Sequence, residues 1–318
     1  MLTVGLILED ARAPRTVFYE KLVDAICSHP RFRRSGARVA VPAEDTAQET
    51  NWPRYDRGQG AYVRGAPHDL AAGGHFDRYL RTIVDYARAN PSQTILVVNM
   101  EPWIRLPLLF RTVPNVIVAD AGLAWHERAL NPRTIGMPAL PMVAAAKGET
   151  RKRDILASFR GAPSHPVRLA LASLADQPGF SVSIVDPKER EGKVDALAGR
   201  TDALYEELID RSVFSLVPRG DALFTYRMLE VMARGSIPII LADGWVLPLD
   251  RVIDWDRISL RFHHDAVPQI PEILRSLSEA EILSMQAGVK LAYEERLSGL
   301  PAIVNSLLEE AELLLEAG

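Results

Sequence analysis

Apolar runs of strand length alternate with longer segments of helical period along this chain, and the pattern occurs twice. In the first half "LTVGLIL", "ARVAV", "TILVV" and "NVIVA" are interleaved with helix-like stretches over 16–28 and 75–90. In the second half "ILASFRG", "FSVSIVD", "VFSLV" and "IPIIL" are interleaved with 165–175, 200–211 and 225–234, and helical segments follow near 268–277, 279–296 and 301–317. Continuous apolar runs separated by helices predict parallel strands covered on both faces. Two such series in 318 residues predict two cores, a length and a 47% hydrophobic content that suffice for both. The stretch "NPRTIGMPALPMVAAAKGETRKR" reads as the linker, which sets expected domains at 1–140 and 141–300, with 301–318 a helix packing back on the body. Residues 42–74 carry little periodicity and read as a long surface excursion.

With 37 Lys and Arg against 41 Asp and Glu, the net charge of −4 supplies no general attraction to phosphate polymers, so no nucleic-acid partner is expected. Cys27 stands alone, which excludes an internal disulfide and a thiolate metal cluster, and it reads as a small apolar residue. The opening "MLTVGLILED" is apolar for too few residues to span a bilayer, and a cytoplasmic location is expected. The basic runs at 31–34 and 151–153 suit peripheral contact with anionic lipid, although short basic runs are ordinarily solvated surface.

Open parallel sheets bind ligands at the carboxyl ends of their strands, so the residues just after each strand matter most. After "VFSLV", Pro218 ends the ladder and Gly220 permits a tight turn, so Arg219 is expected to point from the sheet edge. Thr225 then stands where a helix begins, with Arg227 in its first turn as a second cation for a diphosphate. Glu230, three residues on, could accept hydrogen bonds from the vicinal hydroxyls of a ribose. Gly235 closes that helix, and Asp243 opens the loop after "IPIIL". The competing reading is that Arg219, Arg227 and Glu230 pair with one another on a solvated face; the residues alone leave the two even.

The stretch 205–255 closely resembles the exostosin family, glycosyltransferase family 47. The resemblance rests on Pro218-Arg219-Gly220, Arg227 with Glu230, Gly235 with Ile237-Pro238, Asp243, Leu247-Pro248 and Asp254-Trp255. Upstream, "RDILASFRGAPSHPVR" is similar to the family's strand-end Phe-x-Gly, which adds Arg160 and Gly161 to the donor-binding set, and "TIGMPALP" is similar to its Ile-x-x-Pro linker. Thr225 replaces the usual Ser, Ser236 the usual Cys, and the family's N-terminal Asp-His-Phe has only "GGHFD" at 73–77 to answer it.

The resemblance covers roughly 135–280. It implies an α/β fold of two facing Rossmann-like domains (GT-B) and a nucleoside-diphosphate sugar donor, UDP first. It further implies inverting transfer to a glycan hydroxyl in cell-surface polysaccharide assembly, on an oligosaccharide or lipid-linked acceptor, with no metal and no cofactor. The alternative is a catalytically silent scaffold of the same fold for a partner transferase.

Inverting transfer needs one base near the acceptor hydroxyl. The first-half strand ends offer Glu9, Asp10, Glu101, Asp120 and His126. Asp120 and Glu101 rank first because short apolar strands deliver them, and His126 next because imidazole titrates near neutrality. "DWD" at 254–256 matches an Asp-x-Asp metal pattern but falls at the family's Asp-Trp, and reads as capping or packing. His263-His264 have no zinc-site partners at usable sequence spacing.

Overall fold

The computed structural model describes residues 22, 24–35, 38–40, 83–99, 106–139, 152–186 and 203–316. Glu9, Asp10, Glu101, the 42–74 excursion, "GGHFD" and most of the expected linker (140–151) lie outside them. The chain is α/β with parallel strands and divides into two compact units, one of 1–99 with 109–119 and one of 100–108 with 120–318.

In the first unit β1 (Arg38–Ala40) pairs in parallel with β2 (Ile95–Asn99), Arg38 opposite Ile95, and β3 (Val116–Asp120) lies on the other side of β2. Every residue of β2 and β3 is buried, as uninterrupted apolar runs require. Asn115 sets where β3 begins. Its carbonyl accepts from the Ile95 N–H at 2.8 Å, and its side-chain amide donates to the carbonyls of Ala87, Asn90 and Gln93. One buried amide thereby closes the turn between the 83–89 helix and β2. Cys27 is only partly buried.

The second unit holds β4 (Thr134–Gly136), joined to the end of β3 by the Met137 N–H donating to the Asp120 carbonyl at 3.1 Å. It also holds a five-stranded parallel sheet of β5 (Ile155–Gly161), β6 (Phe180–Ile184), β7 (Ser212–Pro218), β8 (Ile237–Leu241) and β9 (Leu260–Arg261). Their order is β6–β5–β7–β8–β9. β6 is an edge strand and is half-buried throughout, whereas β8 is buried at every position. Two residues are too few to carry a period, so β9 left no sequence signal; it is recruited by pairing Leu260 against Ile239.

Arg153, the last residue of the basic run at 151–153, is an internal clamp rather than a lipid contact. Its guanidinium donates to the carbonyls of Ile209, Ser212 and Arg234, at the ends of the helices Ala203–Arg211 and Arg227–Ala233, where carbonyls have no partner within the helix. Gly235 lies just beyond the second helix at φ 68°, the left-handed closure its position predicts.

Of the motif residues Leu247-Pro248 and Asp254-Trp255, Leu247, Pro248 and Trp255 serve packing and Asp254 is exposed. Leu247, Leu249 and Trp255 are buried, and the Trp255 indole N–H donates to the Pro248 carbonyl at 2.7 Å. Gly136 admits this loop: a Cβ there would lie 2.6 Å from the Leu247 carbonyl oxygen, and the Gly136 carbonyl accepts from the Leu249 N–H at 2.7 Å. Asp256 pairs with Arg261.

The last helix, Leu300–Glu316, buries Ile303, Val304, Leu307, Leu308 and Ala311 along one face. No helix among the described residues is long and apolar enough to cross a membrane. Within that buried face Glu310 accepts from Arg251 at 2.7 Å, and the same guanidinium nitrogen donates to the Thr134 carbonyl. The second Glu310 oxygen is buried without a hydrogen bond.

Burial pushes the Glu310 carboxyl up to about 7, against an opposing pull from Arg251. The folded chain therefore holds one more proton than the unfolded chain between an ordinary 4.5 and about 7, and stability falls as pH rises through that window. Guanidinium unfolding from pH 4.5 to 8 is expected to show a fall of up to about 3 kcal/mol from this group, and Glu310→Gln to remove that part of the slope.

Candidate donor-binding site at the sheet edge

The chain leaves β5 for β6 on one side and returns to β7 on the other, so the strand order reverses between β5 and β7. Carboxyl ends of neighbouring strands diverge at such a point, and their following loops leave a crevice between them. Here β5 ends in Arg160-Gly161 and β7 in Pro218, followed by Arg219-Gly220. Arg168 straps the two loops together, its Nε donating to the Arg219 carbonyl at 2.9 Å and its Nη1 to the Ala162 carbonyl at 3.3 Å.

Arg227 opens the seven-residue helix 227–233, and its backbone N–H meets the Thr225 hydroxyl at 3.4 Å. The guanidinium does not extend freely from the edge as the sequence suggests. Its Cζ lies 4.6 Å from the ring centroids of both Phe159 and Tyr205, and Nη2 donates to the Arg160 carbonyl at 2.7 Å. A flat, weakly hydrated cation fits between two aromatic rings where an ammonium would not. Arg227 Nε is buried without a hydrogen bond.

Gly161 is what allows this: a Cβ on it would stand 2.7 Å from Nη2 and 3.0 Å from the Phe159 ring. Glu230 accepts from the Tyr205 hydroxyl at 2.6 Å, and burial pushes that phenol's pKa up. Arg227 and Glu230 thus do not form the simple surface pair of the competing sequence reading; each is engaged by Tyr205.

Arg219 folds back over its own turn, donating to the carbonyls of Gly220 at 3.3 Å and Asp221 at 3.1 Å, while its backbone N–H donates to Leu241. Beside it stands His165, which the sequence reading missed. Its Nδ1 accepts from the Val167 N–H at 3.3 Å. Burial holds its pKa below the ordinary value, followed by the positive charges of Arg219 and Arg168. The signal available in sequence was only a His before Pro166, an ordinary helix start.

Asp243 is drawn to His263 and His264. Its Oδ2 contacts His264 Nδ1, accepts from the His264 backbone N–H at 3.3 Å and lies 3.6 Å from His263 Nε2. Donation to the Asp243 carboxylate raises the His264 pKa. Sequence spacing gives these histidines no zinc-site partner, but β8 and β9 are adjacent, so the loop after each reaches the same edge although about twenty residues separate them.

Of the proposed bases, Asp120 and His126 lie on described residues. The loop after Asp120 pairs with the loop after Asp243: Trp125 N–H donates to Gly244, Val246 N–H to Leu123, and the Trp245 indole to Ala121, all within 3.0 Å. Asp120 thereby belongs to the second unit rather than to the first. Its Oδ1 accepts from the Gly122 N–H at 2.7 Å, and the residue is 5% exposed. A Cβ on Gly122 would lie 3.6 Å both from that oxygen and from the Phe224 ring of the Arg219 turn. His126 lies outward on the helix Trp125–Leu130.

Residues 115–277, just over half of the chain, match the family model described as the Exostosin GT47 domain. Exostosin-1 of Drosophila melanogaster is 33% identical over 105 residues, 33% of this chain and 14% of that protein. The Exostosin-1 homolog of Caenorhabditis elegans is 32% identical over 104 residues, 33% of this chain and 27% of that one. The chain thus spans a small part of these relatives' length. Among solved structures, the pneumococcal O-GlcNAc transferase GtfA in complex with UDP and GlcNAc aligns with 72% of this chain and 54% of its own, at a TM-score of 0.40 and 12% identity.

Gly161→Ala is expected to push the Arg227 guanidinium from between its rings and to lower stability by about 1–3 kcal/mol. Urea unfolding against the parent reads this directly, and a loss below a few tenths would show that the ring cage yields without strain.

Proposed function

The chain belongs to the exostosin GT47 family, and from that premise we propose that it transfers a sugar, with inversion, from a nucleoside-diphosphate donor, UDP first, to a hydroxyl of an oligosaccharide or lipid-linked glycan in cell-surface polysaccharide assembly. The observation that carries this reading is the strand-order reversal between β5 and β7, with cationic side chains gathered at its carboxyl edge.

In this reading Arg219 turns outward from its own carbonyls to meet the diphosphate. A charge-assisted contact to phosphate is stronger than its bonds of 3.1 and 3.3 Å to the neutral Asp221 and Gly220 carbonyls. Arg168 adds positive potential, Gly161 leaves the space that the Arg227 guanidinium fills, and a Cβ on Gly220 would meet its nearest neighbours, the Phe224 carbonyl and Arg168, only at 3.6 and 3.7 Å. Arg160, whose carbonyl holds Arg227, and Thr225, whose hydroxyl meets the Arg227 N–H, set the walls. Arg227 acts by position: it fixes the β5 end, Tyr205 and, through Tyr205, the Glu230 carboxylate offered to the ribose. Fixed guanidinium charge stabilises the departing diphosphate, so no metal is required for transfer.

Asp120 is the proposed base, carried on a buried strand end and held in orientation by Gly122. The charge that the sugar nucleotide brings is handled on one side of the reaction and the proton on the other.

Isothermal titration with UDP and UDP-sugars separates the two arginines. Arg219→Ala is expected to weaken binding by at least about tenfold, the loss of one charge-assisted contact, with an unchanged melting temperature. Arg227→Ala is expected to lose both binding and stability. Parent-like affinity in Arg219→Ala overturns the diphosphate assignment.

Turnover measured in EDTA is expected to match that without it, and Asp120→Asn to lower it by about 10²–10⁴ at nearly unchanged donor affinity, because the Gly122 N–H keeps an acceptor. Loss of turnover in His126→Ala but not Asp120→Asn would move the base to His126. Donor binding with no transfer by the parent to any glycan acceptor would favour the scaffold reading.

A further inference from the structure

Asp243, His263 and His264 meet in space without adjacency in sequence. One carboxylate oxygen and one nitrogen of each imidazole lie within 4.8 Å of one another. Asp243 Oδ2 faces His264 Nδ1 directly and His263 Nε2 at 3.6 Å, and the two rings lie with centroids 4.1 Å apart, tilted by 38°. From these three side chains we infer a binding site for one divalent transition-metal ion of the zinc class, which goes beyond the transfer reading and does not rest on it.

The donor set suits such an ion. Two neutral imidazoles and one carboxylate are borderline ligands that select zinc-class ions over magnesium or calcium, which prefer oxygen alone. Tetrahedral ligands at about 2.0–2.2 Å from the ion stand about 3.3–3.6 Å apart, so the group closes by side-chain rotation rather than backbone movement. The fourth position remains for water.

A second carboxylate completes the arrangement. Asp265 reaches the outer nitrogen of both rings, 3.3 Å from His263 Nδ1 and 3.2 Å from His264 Nε2. A metal-bound histidine hands its other N–H to a carboxylate in just this way, which fixes the tautomer and raises ligand basicity. The Asp265 backbone N–H also approaches His263 Nδ1, at 3.4 Å. With an ion on Nε2, Nδ1 carries its proton to the carboxylate and that long contact is given up.

The framework holds the loops and leaves the ligands open. Asp243 follows β8 and the histidines follow β9, and these strands are paired. The Phe262 N–H donates to the Ile240 carbonyl at 3.0 Å, which pins the backbone just before the pair. Both histidine side chains are more than half exposed, at 57% and 54%, so an ion enters without unfolding anything and the histidine variants keep their core.

The test uses the full chain, untagged and stripped by chelator, titrated with Co²⁺ and followed by its visible absorption, then displaced by Zn²⁺. One cobalt per chain is expected, with the intense band of a four-coordinate site, bleached by one equivalent of zinc. His263→Ala and His264→Ala are each expected to weaken cobalt binding at least tenfold, Asp265→Asn to weaken it less, and His165→Ala to leave it unchanged. Circular dichroism confirms that each variant is folded. No band at millimolar cobalt, or a parent-like titration in the His263→Ala, His264→Ala double variant, overturns the proposal. Because the readout is optical and needs no donor or acceptor, its failure leaves the transfer reading intact, and the failure of transfer leaves it intact.

Discussion

The Arg227 guanidinium is the point on which the second unit's edge depends. It is held between Phe159, from β5, and Tyr205, from the 203–211 helix, and it donates to the carbonyl of Arg160 at the end of β5. A single side chain from the 227–233 helix therefore joins three elements at the place where the strand order reverses. Desolvating an arginine is costly unless its faces and its N–H groups are occupied, and here two rings and a carbonyl do most of that. The unmet Nε is the part of the charge not yet compensated.

This constraint propagates outward through short hydrogen bonds. Tyr205, fixed by stacking, holds Glu230, and Gly161 must lack a side chain for the stack to close. Arg168 repeats the device one layer further out, joining the loops after β5 and β7 through backbone carbonyls. Arg153 does the same at the opposite ends of the helices. Arginine serves in all three places because a planar fork of donors satisfies carbonyls that neither helix nor strand can pair.

The neighbouring edge is organised by backbone pairing instead. The loop after β3 and the loop after β8 bond to each other through Leu123, Trp125, Gly244 and Val246, and Trp245 is buried between them. Asp120 is for that reason oriented by the same unit that carries Arg219. Of the family residues, Leu247, Pro248 and Trp255 turn out to be the packing beneath this edge, which accounts for their apolar character.

The sequence by itself determined the strand-helix alternation, the buried central strands, the left-handed closure at Gly235 and the cluster of functional residue types after β7, because each is encoded by spacing or by one residue's conformational preference. Family membership was legible for the same reason, since its motif lies in one continuous block. Only the tertiary structure decided that β5 and β7 are neighbours, that Phe159 and Tyr205 enclose Arg227, that Asp120 sits with the Asp243 loop, and that Asp243 meets His263 and His264. Those outcomes depend on which strands pair and on which side chains are brought together over 20 to 120 residues of chain. Local pattern carries no record of that choice: burying the two faces of a parallel sheet requires apolar strands, and any order of such strands would satisfy the same pattern.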